Sequence, residues 1–326
     1  MNIAILGAGA WGTALALAFA SRHRVTLWAF ELGHADEMRV SHENSRFLPG
    51  VALPESITFE ADIPSAIQGA NLAIIATPML ALRSTLASVA HEAPELPALW
   101  VCKGLEAGTG LLPHQVAAQS FGTAPCGALT GPSFADEVAR GLPTAITLTS
   151  KNMEFARHMA RELNTPVLRL YAGDDVVGAE IGGAVKNVLA IATGICDGLG
   201  LGLNARAALM TRGLAEITRL GVAWGARRET FMGLAGLGDL ILTCTGDLSR
   251  NRRVGLALAA GKLLPDIQRE LGHVAEGVPT SREVARQAAR WGVSMPITEA
   301  VCAVLDGILT PQAAVTQLMN REPGTE

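Results

Sequence analysis

Three glycines near the start constrain this chain more than anything that follows. The chain opens MNIAILGAGAWGTALALAFASRHRVTLWAFE. Ile3 to Leu6 is a short apolar run suited to a buried strand, and Gly7, Gly9 and Gly12 follow with the spacing GxGxxG. The small apolar run Thr13 to Ala20 predicts a helix, and Arg24 to Trp28 a second strand. Glu31 stands about twenty residues past the glycines, where a dinucleotide-binding fingerprint places an acid. Gly7 permits a tight turn, Gly9 lets the backbone approach a pyrophosphate, and Gly12 lets helix and strand pack closely. The unpaired N–H groups at the helix start then face an anion. A glycine-rich turn in some other α/β protein would not call for strand, helix and distal acid together.

The same stretch raises two other readings. Ile3 to Ala20 carries no charge, and Ala18-Phe19-Ala20 mimics a signal-peptidase site. No Lys or Arg precedes it, as a secretory leader requires, and a membrane span needs about 20 apolar residues, which clustered glycines suit poorly. The expectation is a cytoplasmic strand–turn–helix with no membrane span. At 326 residues the chain has room for two domains, taking about 150 residues for each. Its formal net charge of -4 argues against a general nucleic-acid binder. Five cysteines, Cys102, Cys126, Cys196, Cys244 and Cys302, lack CxxC spacing, which fits free thiols in a reducing compartment. The seven histidines form no HxxxH pair, so no metal site is expected.

Further along, apolar strands alternate with helical segments. Strands are predicted at Asn71 to Thr77, Leu99 to Cys102, Cys126 to Leu129, Thr144 to Thr149 and Val167 to Tyr171. Helices are predicted around Glu37 to His42 and at Leu80 to Glu92, Leu111 to Ser120, Ala135 to Arg140 and Met153 to Asn164, with a turn at Phe47-Leu48-Pro49-Gly50. This alternation predicts a doubly wound, mostly parallel sheet. From Val167 to Leu264 there is no proline, and helical periodicity takes over. Helices are expected at Glu180 to Cys196, Ala205 to Leu220, Asp239 to Thr243, Arg252 to Ala260, Ser281 to Trp291 and Ile297 to Asp306. The expected division is residues 1–178 as a dinucleotide-binding domain and 179–326 as an all-helical substrate domain, with a loose tail from Arg321 to Glu326.

In a doubly wound sheet, ligands sit beyond the carboxyl ends of the strands. Pro78, Lys103 and Gly131-Pro132-Ser133 each follow a predicted strand. Lys103 is also open to a plainer reading as a solvated turn lysine. Lys186 is more informative, because EIGGAVKNVLAIATGICDGLG contains no other positive charge. It must snorkel along the helix or be kept for chemistry. Held in an apolar pocket near other cations, its pKa would fall toward neutrality, where it could exchange protons. Asn187 is adjacent, and Gly182-Gly183 would admit a neighbouring backbone or ligand. In GLAGLGDLILTCTGDLSRNRR, Asp239 and Thr243 are spaced i and i+4 and face one side of a helix. Ser249, Arg250 and Asn251 then precede a helix start that could hold a phosphate, although Arg250 to Arg253 also reads as a solvated charged turn.

Taken together, GAGAWGTALA, Lys103-Gly104-Leu105-Glu106, LTGPSFADEVARGLPTAI, EIGGAVKN, GLAGLGDLILTCTGDLSRNRRVG and Val274-Ala275-Glu276-Gly277 resemble the NAD(P)-dependent glycerol-3-phosphate dehydrogenases over essentially the whole chain. The resemblance implies a Rossmann-like doubly wound, mostly parallel sheet followed by an all-α C-terminal domain. It implies reversible reduction of dihydroxyacetone phosphate to sn-glycerol 3-phosphate for glycerophospholipid synthesis, in a homodimer. It implies Lys186 as general acid/base, with Lys103 and Asp239 beside it. Lys103, Gly131, Ser133, Lys186, Asn187, Asp239, Thr243, Ser249, Arg250 and Asn251 are then the implied substrate residues. Gly7, Gly9, Ala10, Trp11, Gly12, Phe30, Glu31, Phe47, Pro78, Lys103, Ala135, Arg250, Val274 and Glu276 are the implied cofactor residues.

One departure bears on the cofactor. Many bacterial members of that family carry Arg or His at the position of Phe30, which can meet the 2′-phosphate of NADP. Here Phe30-Glu31 is closer to the NAD-linked members: Phe30 can pack on adenine, and Glu31 can accept from a ribose hydroxyl and repel a 2′-phosphate. NAD(H) is therefore expected over NADP(H), with His34 and Arg39 near enough in sequence to keep NADP(H) open. The rivals are a β-hydroxyacid dehydrogenase, a non-catalytic dinucleotide sensor and a flavoprotein.

Overall fold

The computed structural model describes residues 1–271 and 275–321. Val274 and almost all of the expected tail lie outside the described residues. The chain clusters into two compact units, one of Met1–Glu106 with Leu111–Glu180, the other of Ala107–Gly110 with Ile181–Glu326.

The first unit runs β1 (Asn2–Leu6), α1 (Ala10–Ala20), β2 (Arg24–Trp28), α2 (His34–Ser41), β3 (Glu43–Asn44), β4 (Leu48–Ala52) and β5 (Ile57–Glu60). It continues with α3 (Ile63–Ile67), β6 (Leu72–Ile75), α4 (Met79–Glu92), β7 (Ala98–Trp100), α5 (Pro113–Ser120) and β8 (Cys126–Thr130). It closes with α6 (Ala135–Ala139), β9 (Thr144–Thr149), α7 (Met153–Leu163) and β10 (Leu168–Gly173). The eight-stranded sheet has the order β10-β9-β8-β7-β6-β1-β2-β5. Its pairs are parallel except β8 with β9, which is antiparallel.

Strand β1 shows why these apolar runs become central strands. Ile3 and Ile5 pack into the core on one face with Leu15, Phe19, Val25 and Leu27. Ala4 and Leu6 pack on the other with Ala73, Ile75, Leu86 and Trp100. A strand buried on both faces has no use for a polar alternate position. From β1 the chain winds outward to β2 and β5, then returns to β6 on the other side of β1. The carboxyl end of β1, where Gly7 stands, is therefore the topological switch point.

Two details depart from the sequence reading. Phe47 to Gly50 is not a bare turn: Leu48 to Ala52 pairs antiparallel with Glu43-Asn44 in a small separate sheet. Proline and glycine are acceptable there because the pair stands outside the main sheet. Strand β7 stops at Trp100, so Lys103 lies in the loop beyond the strand end. The short elements β5 and α3 had too few periodic positions to be seen.

Helix α8 (Val176–Gly198) is continuous across the division between the units. It is the one described helix long and apolar enough to cross a membrane, and 94% of its most apolar window is buried within the chain. At its head, the buried Glu180 accepts from Trp100 Nε1 and the His114 backbone N–H, both at 2.9 Å, and its Oε2 meets His114 Nδ1 at 2.6 Å. Burial raises the Glu180 carboxyl above its ordinary pKa, against the opposing pull of His114.

The second unit continues with α9 (Gly202–Ala223), a 3-10 turn at Arg228–Met232, a π turn at Leu234–Gly238 and α10 (Asp239–Thr245). Then come α11 (Arg250–Ala259), α12 (Leu264–Leu271), α13 (Gly277–Arg290), α14 (Pro296–Leu305) and α15 (Pro311–Met319). The N-terminus of α14 is capped from a distance. Glu216 of α9 accepts the Ile297 N–H at 2.8 Å and the Thr298 N–H at 3.3 Å.

Burial pushes the Glu216 carboxyl up from 4.5 to about 7. The folded state therefore binds that proton more tightly than the unfolded chain does. Its contribution to stability is fully present below the unfolded pKa and is lost as pH rises from roughly 4.5 toward 7, by about 3 kcal/mol. Thermal unfolding of the parent and of Glu216→Gln across pH 4.5 to 8 checks this. The parent is expected to lose stability relative to the variant as pH rises, and parallel pH profiles would contradict the assignment.

Candidate active site

The parallel strands of the first unit bring the sequence-selected loops to one edge of the sheet. Gly7 follows β1, Phe30 and Glu31 follow β2, Pro78 follows β6, Lys103 follows β7, and Gly131 and Ser133 follow β8. Two of these loops touch: Lys103 Nζ donates to the Gly131 carbonyl at 3.3 Å, and Ser133 Oγ donates to the same oxygen at 3.1 Å. Ala135 opens α6 and, like Trp11 of α1, packs partly buried on the core. Phe30 is 80% exposed, with its ring edge-on to Trp28 at 6.0 Å.

The glycine turn fits a dinucleotide. Gly7 has φ +127°, and a Cβ on Gly12 would lie 1.9 Å from the Gly7 carbonyl oxygen, so turn and helix close only with glycine at both. A Cβ on Gly9 would meet no protein atom within 4 Å. Nothing inside the chain demands a glycine there, which leaves close approach by something outside it. Helix α1 begins at Ala10 with no side-chain cap, so its first N–H groups are open to an anion. Thr77 Oγ1 and Thr130 Oγ1, at the ends of β6 and β8, are buried without a hydrogen-bond partner. Orphaned hydroxyls at this edge are what a bound polar ligand would satisfy.

Asn44 was not singled out in the sequence. It is fully buried, and its amide donates to the Ala8 carbonyl at 2.8 Å and to Thr13 Oγ1 at 2.7 Å. The little sheet is thereby pinned to the glycine turn. A lone Asn before an unrecognised hairpin carries no signal of such a contact.

The second unit holds the lysine cluster. Lys186 is 7% exposed and Asp239 1%. Lys186 Nζ donates to Asp239 Oδ1 and, at 2.8 Å, to Thr243 Oγ1. Thr243 in turn donates to the Asp239 carbonyl at 2.6 Å. The i, i+4 pair on α10 thus meets one ammonium group, as its spacing predicted. The group against that ammonium is the carboxylate of Asp239, the residue that the resemblance sets beside it. A buried charge demands such a partner.

Close helix packing builds the rest. A Cβ on Gly182 would lie 2.4 Å from the Ala235 carbonyl oxygen, so what this glycine admits is the backbone of the π turn that leads into α10. Helices α8 and α11 cross at Gly194 and Gly255, where a Cβ on either would lie 2.1 Å from a carbonyl oxygen of the other helix. That crossing puts Asn251 Nδ2 3.0 Å from Asn187 Oδ1, while Asn251 Oδ1 accepts the Gly277 N–H at 3.0 Å. Ser249 caps α11 by accepting the Arg252 N–H at 3.3 Å. Arg250 is exposed. Arg252 is committed to structure, with Nη2 2.8 Å from Asp197 Oδ2 and Nη1 2.9 Å from Asp247 Oδ1. The charged run therefore divides: Arg252 braces α11 on α8, while Arg250 and Arg253 are exposed in its first turn. Glu276 immediately precedes α13. No group of three or more potential metal ligands comes together among the described residues.

A mostly parallel sheet with a glycine turn at its switch point, joined to a helical unit carrying a buried Lys–Asp–Thr cluster, defines a dinucleotide-dependent oxidoreductase. Comparison with known proteins sharpens this class. The family models for the N-terminus and C-terminus of NAD-dependent glycerol-3-phosphate dehydrogenase match residues 2–156 and 175–316. The glycerol-3-phosphate dehydrogenase (NAD(P)+) of Dechloromonas aromatica is 64% identical, with 100% of this chain and 99% of that protein covered. The protein of that name from Aromatoleum aromaticum is 58% identical, with both chains fully covered. The crystal structure of glycerol-3-phosphate dehydrogenase from Coxiella burnetii superposes with a TM-score of 0.93 at 43% identity, covering 98% of this chain and 99% of that one. The chain belongs to the NAD-dependent glycerol-3-phosphate dehydrogenase family.

Gly255→Val tests the packing account. Branched carbons at the crossing should force α8 and α11 apart, costing roughly 1–3 kcal/mol and separating Asn187 from Asn251. Calorimetry is expected to show a lowered Tm; an unchanged Tm would mean that the crossing tolerates the bulk and does not set the Asn187–Asn251 contact.

Proposed function

We propose that this chain catalyses reversible hydride transfer between a nicotinamide dinucleotide and dihydroxyacetone phosphate, giving sn-glycerol 3-phosphate, with Lys186 as general acid/base. Family membership supports the reaction. The observation that carries the role of Lys186 is its burial against Asp239 and Thr243. An ammonium group costs several kcal/mol to desolvate, and a purely structural helix position has cheaper occupants.

Bound, a reduced nicotinamide supplies the hydride that reaches the carbonyl carbon. The chain's own residues handle the charge that then grows on the carbonyl oxygen. Lys186 Nζ gives that oxygen a proton and, in the reverse direction, takes it back from the hydroxyl. Asp239 aims the ammonium and balances its charge, and Thr243 fixes a second of its protons. Lys103 adds positive charge from the strand edge. Arg250, Asn251 and Ser249 at the start of α11 take the phosphate, so that binding energy remote from the carbonyl holds it for reaction. Lys186→Met is expected to lower kcat roughly 100- to 10,000-fold while the dissociation constant for dinucleotide, read by fluorescence titration, stays close to the parent's. Near-parental turnover would remove Lys186 from the role.

We further propose a division of labour in which residues 1–178 bind the dinucleotide and 179–326 hold the substrate. The dinucleotide is NAD(H) in preference to NADP(H). The half-exposed Glu31 carboxylate and the open Phe30 ring at the end of β2 support this. Arg39, the nearest cation after β2, is occupied by Asp36 and the Phe59 carbonyl. A 2′-phosphate beside Glu31 is repelled, so kcat/KM should favour NADH over NADPH by more than about tenfold. Equal values would refute the preference. The family resemblance supports a homodimer in the cytoplasm, which light scattering on the purified chain and fractionation of cells would check.

Two rival readings are weaker. A β-hydroxyacid dehydrogenase would need a carboxylate-bearing substrate, and the family match does not support one. A non-catalytic sensor has no use for a buried ammonium group.

A further inference from the structure

An ion pair used by none of the steps above braces the loop that carries Lys103. Helix α4 buries Leu82 and Leu86 in the same core as Trp100, the last residue of β7. Arg83 of that helix is only partly exposed. Its Nε donates to Glu106 Oε1 at 2.8 Å and its Nη2 to Glu106 Oε2 at 2.7 Å. Two parallel bonds of this kind form a planar fork, which fixes both the position and the plane of the carboxylate. Lys103 stands between two anchored points. On one side, just past β7, the Val101 N–H donates to the Ile75 carbonyl at 3.0 Å. On the other side is Glu106, with Arg83 on its carboxylate and its own N–H donating to the Leu111 carbonyl at 2.9 Å. Gly104, with φ +120°, turns the chain between the two anchors, and Leu105 is buried.

We propose that Arg83 is a positioning residue for the hydride-transfer reaction: through Glu106 it sets where the backbone at Lys103 stands, and so where the Lys103 ammonium can lie. The inference rests on the reading of Lys103 as positive charge beside the reacting carbonyl. That ammonium rides on a flexible four-carbon stem. Every contact it makes, the one to the Gly131 carbonyl at 3.3 Å among them, therefore starts from a backbone position that the loop must hold. Stabilising a growing oxyanion requires the charge to be in place before the reaction begins. The Arg83–Glu106 pair is partly solvated and adds little stability of its own. Its use is geometric: a fork from a core-packed helix fixes the loop three residues past the lysine. Arg83→Lys keeps the charge and loses the fork.

Steady-state kinetics of dihydroxyacetone phosphate reduction by the full chain, with Kd for NADH measured alongside, tests the proposal. The variants are Arg83→Met, Arg83→Lys, Glu106→Gln, Lys103→Met and the Arg83→Met/Lys103→Met double variant. Arg83→Met and Glu106→Gln should each lower kcat about tenfold while KM for dihydroxyacetone phosphate and Kd for NADH stay close to the parent's, because charge on the carbonyl oxygen develops only toward the transition state. Arg83→Lys should behave as Arg83→Met does, and it carries the comparison if Arg83→Met does not fold. On the Lys103→Met background, Arg83→Met should lower kcat no further. An equal loss on both backgrounds, or a change in KM or Kd without one in kcat, overturns the proposal. If Lys103→Met lowers kcat and the Arg83 and Glu106 variants do not, the positioning role alone falls. If Lys103→Met keeps the parental kcat, the reading of Lys103 falls and takes this inference with it.

Discussion

The helical unit is arranged around a charge that cannot be left alone. Lys186 sits among apolar neighbours on α8, and an ammonium buried without a partner would be neutralised or expelled. Asp239 supplies the partner from α10, Thr243 a second acceptor one turn later, and the Gly182–Ala235 contact lets the π turn before α10 come close enough. The pair contributes little to stability on its own, because desolvation offsets most of the Coulomb gain. What it provides is direction: an ammonium with set partners presents its remaining bonding capacity in one orientation.

The dinucleotide unit follows a related economy. Its central strands β1 and β6 bury apolar residues on both faces, and the polar groups of the candidate site stand in the loops at the strand ends. There they are not left mobile. Gly7 and Gly12 close on each other at the switch point, Asn44 ties the small hairpin to the turn, and Lys103 and Ser133 share the Gly131 carbonyl. A rigid sheet thus carries loops that are themselves cross-linked, which is how a binding edge keeps its geometry before a ligand arrives.

Much of this was legible early. The glycine fingerprint, the strand–helix alternation and the isolated lysine of EIGGAVKN are local signals, and each matches the observed fold. The i, i+4 spacing of Asp239 and Thr243 correctly put both on one face. Other features had no local signal. The hairpin at Leu48 to Ala52 was read as a turn because Pro49 and Gly50 weaken any strand pattern. Arg252 looked like part of a solvated run, since its partner Asp197 lies on another helix.

The amino-acid sequence by itself determined the order of elements, the burial of the strands, the glycine turn and the candidate residue types. These depend on period, size and charge over a few neighbouring positions. Only the tertiary structure decided which polar groups meet: Lys186 with Asp239, Asn187 with Asn251, and His34 with Asn44. Such pairings depend on helix crossings and on loops that return from distant parts of the chain. A hydrogen bond turns on tenths of an ångström, and no short-range pattern encodes that.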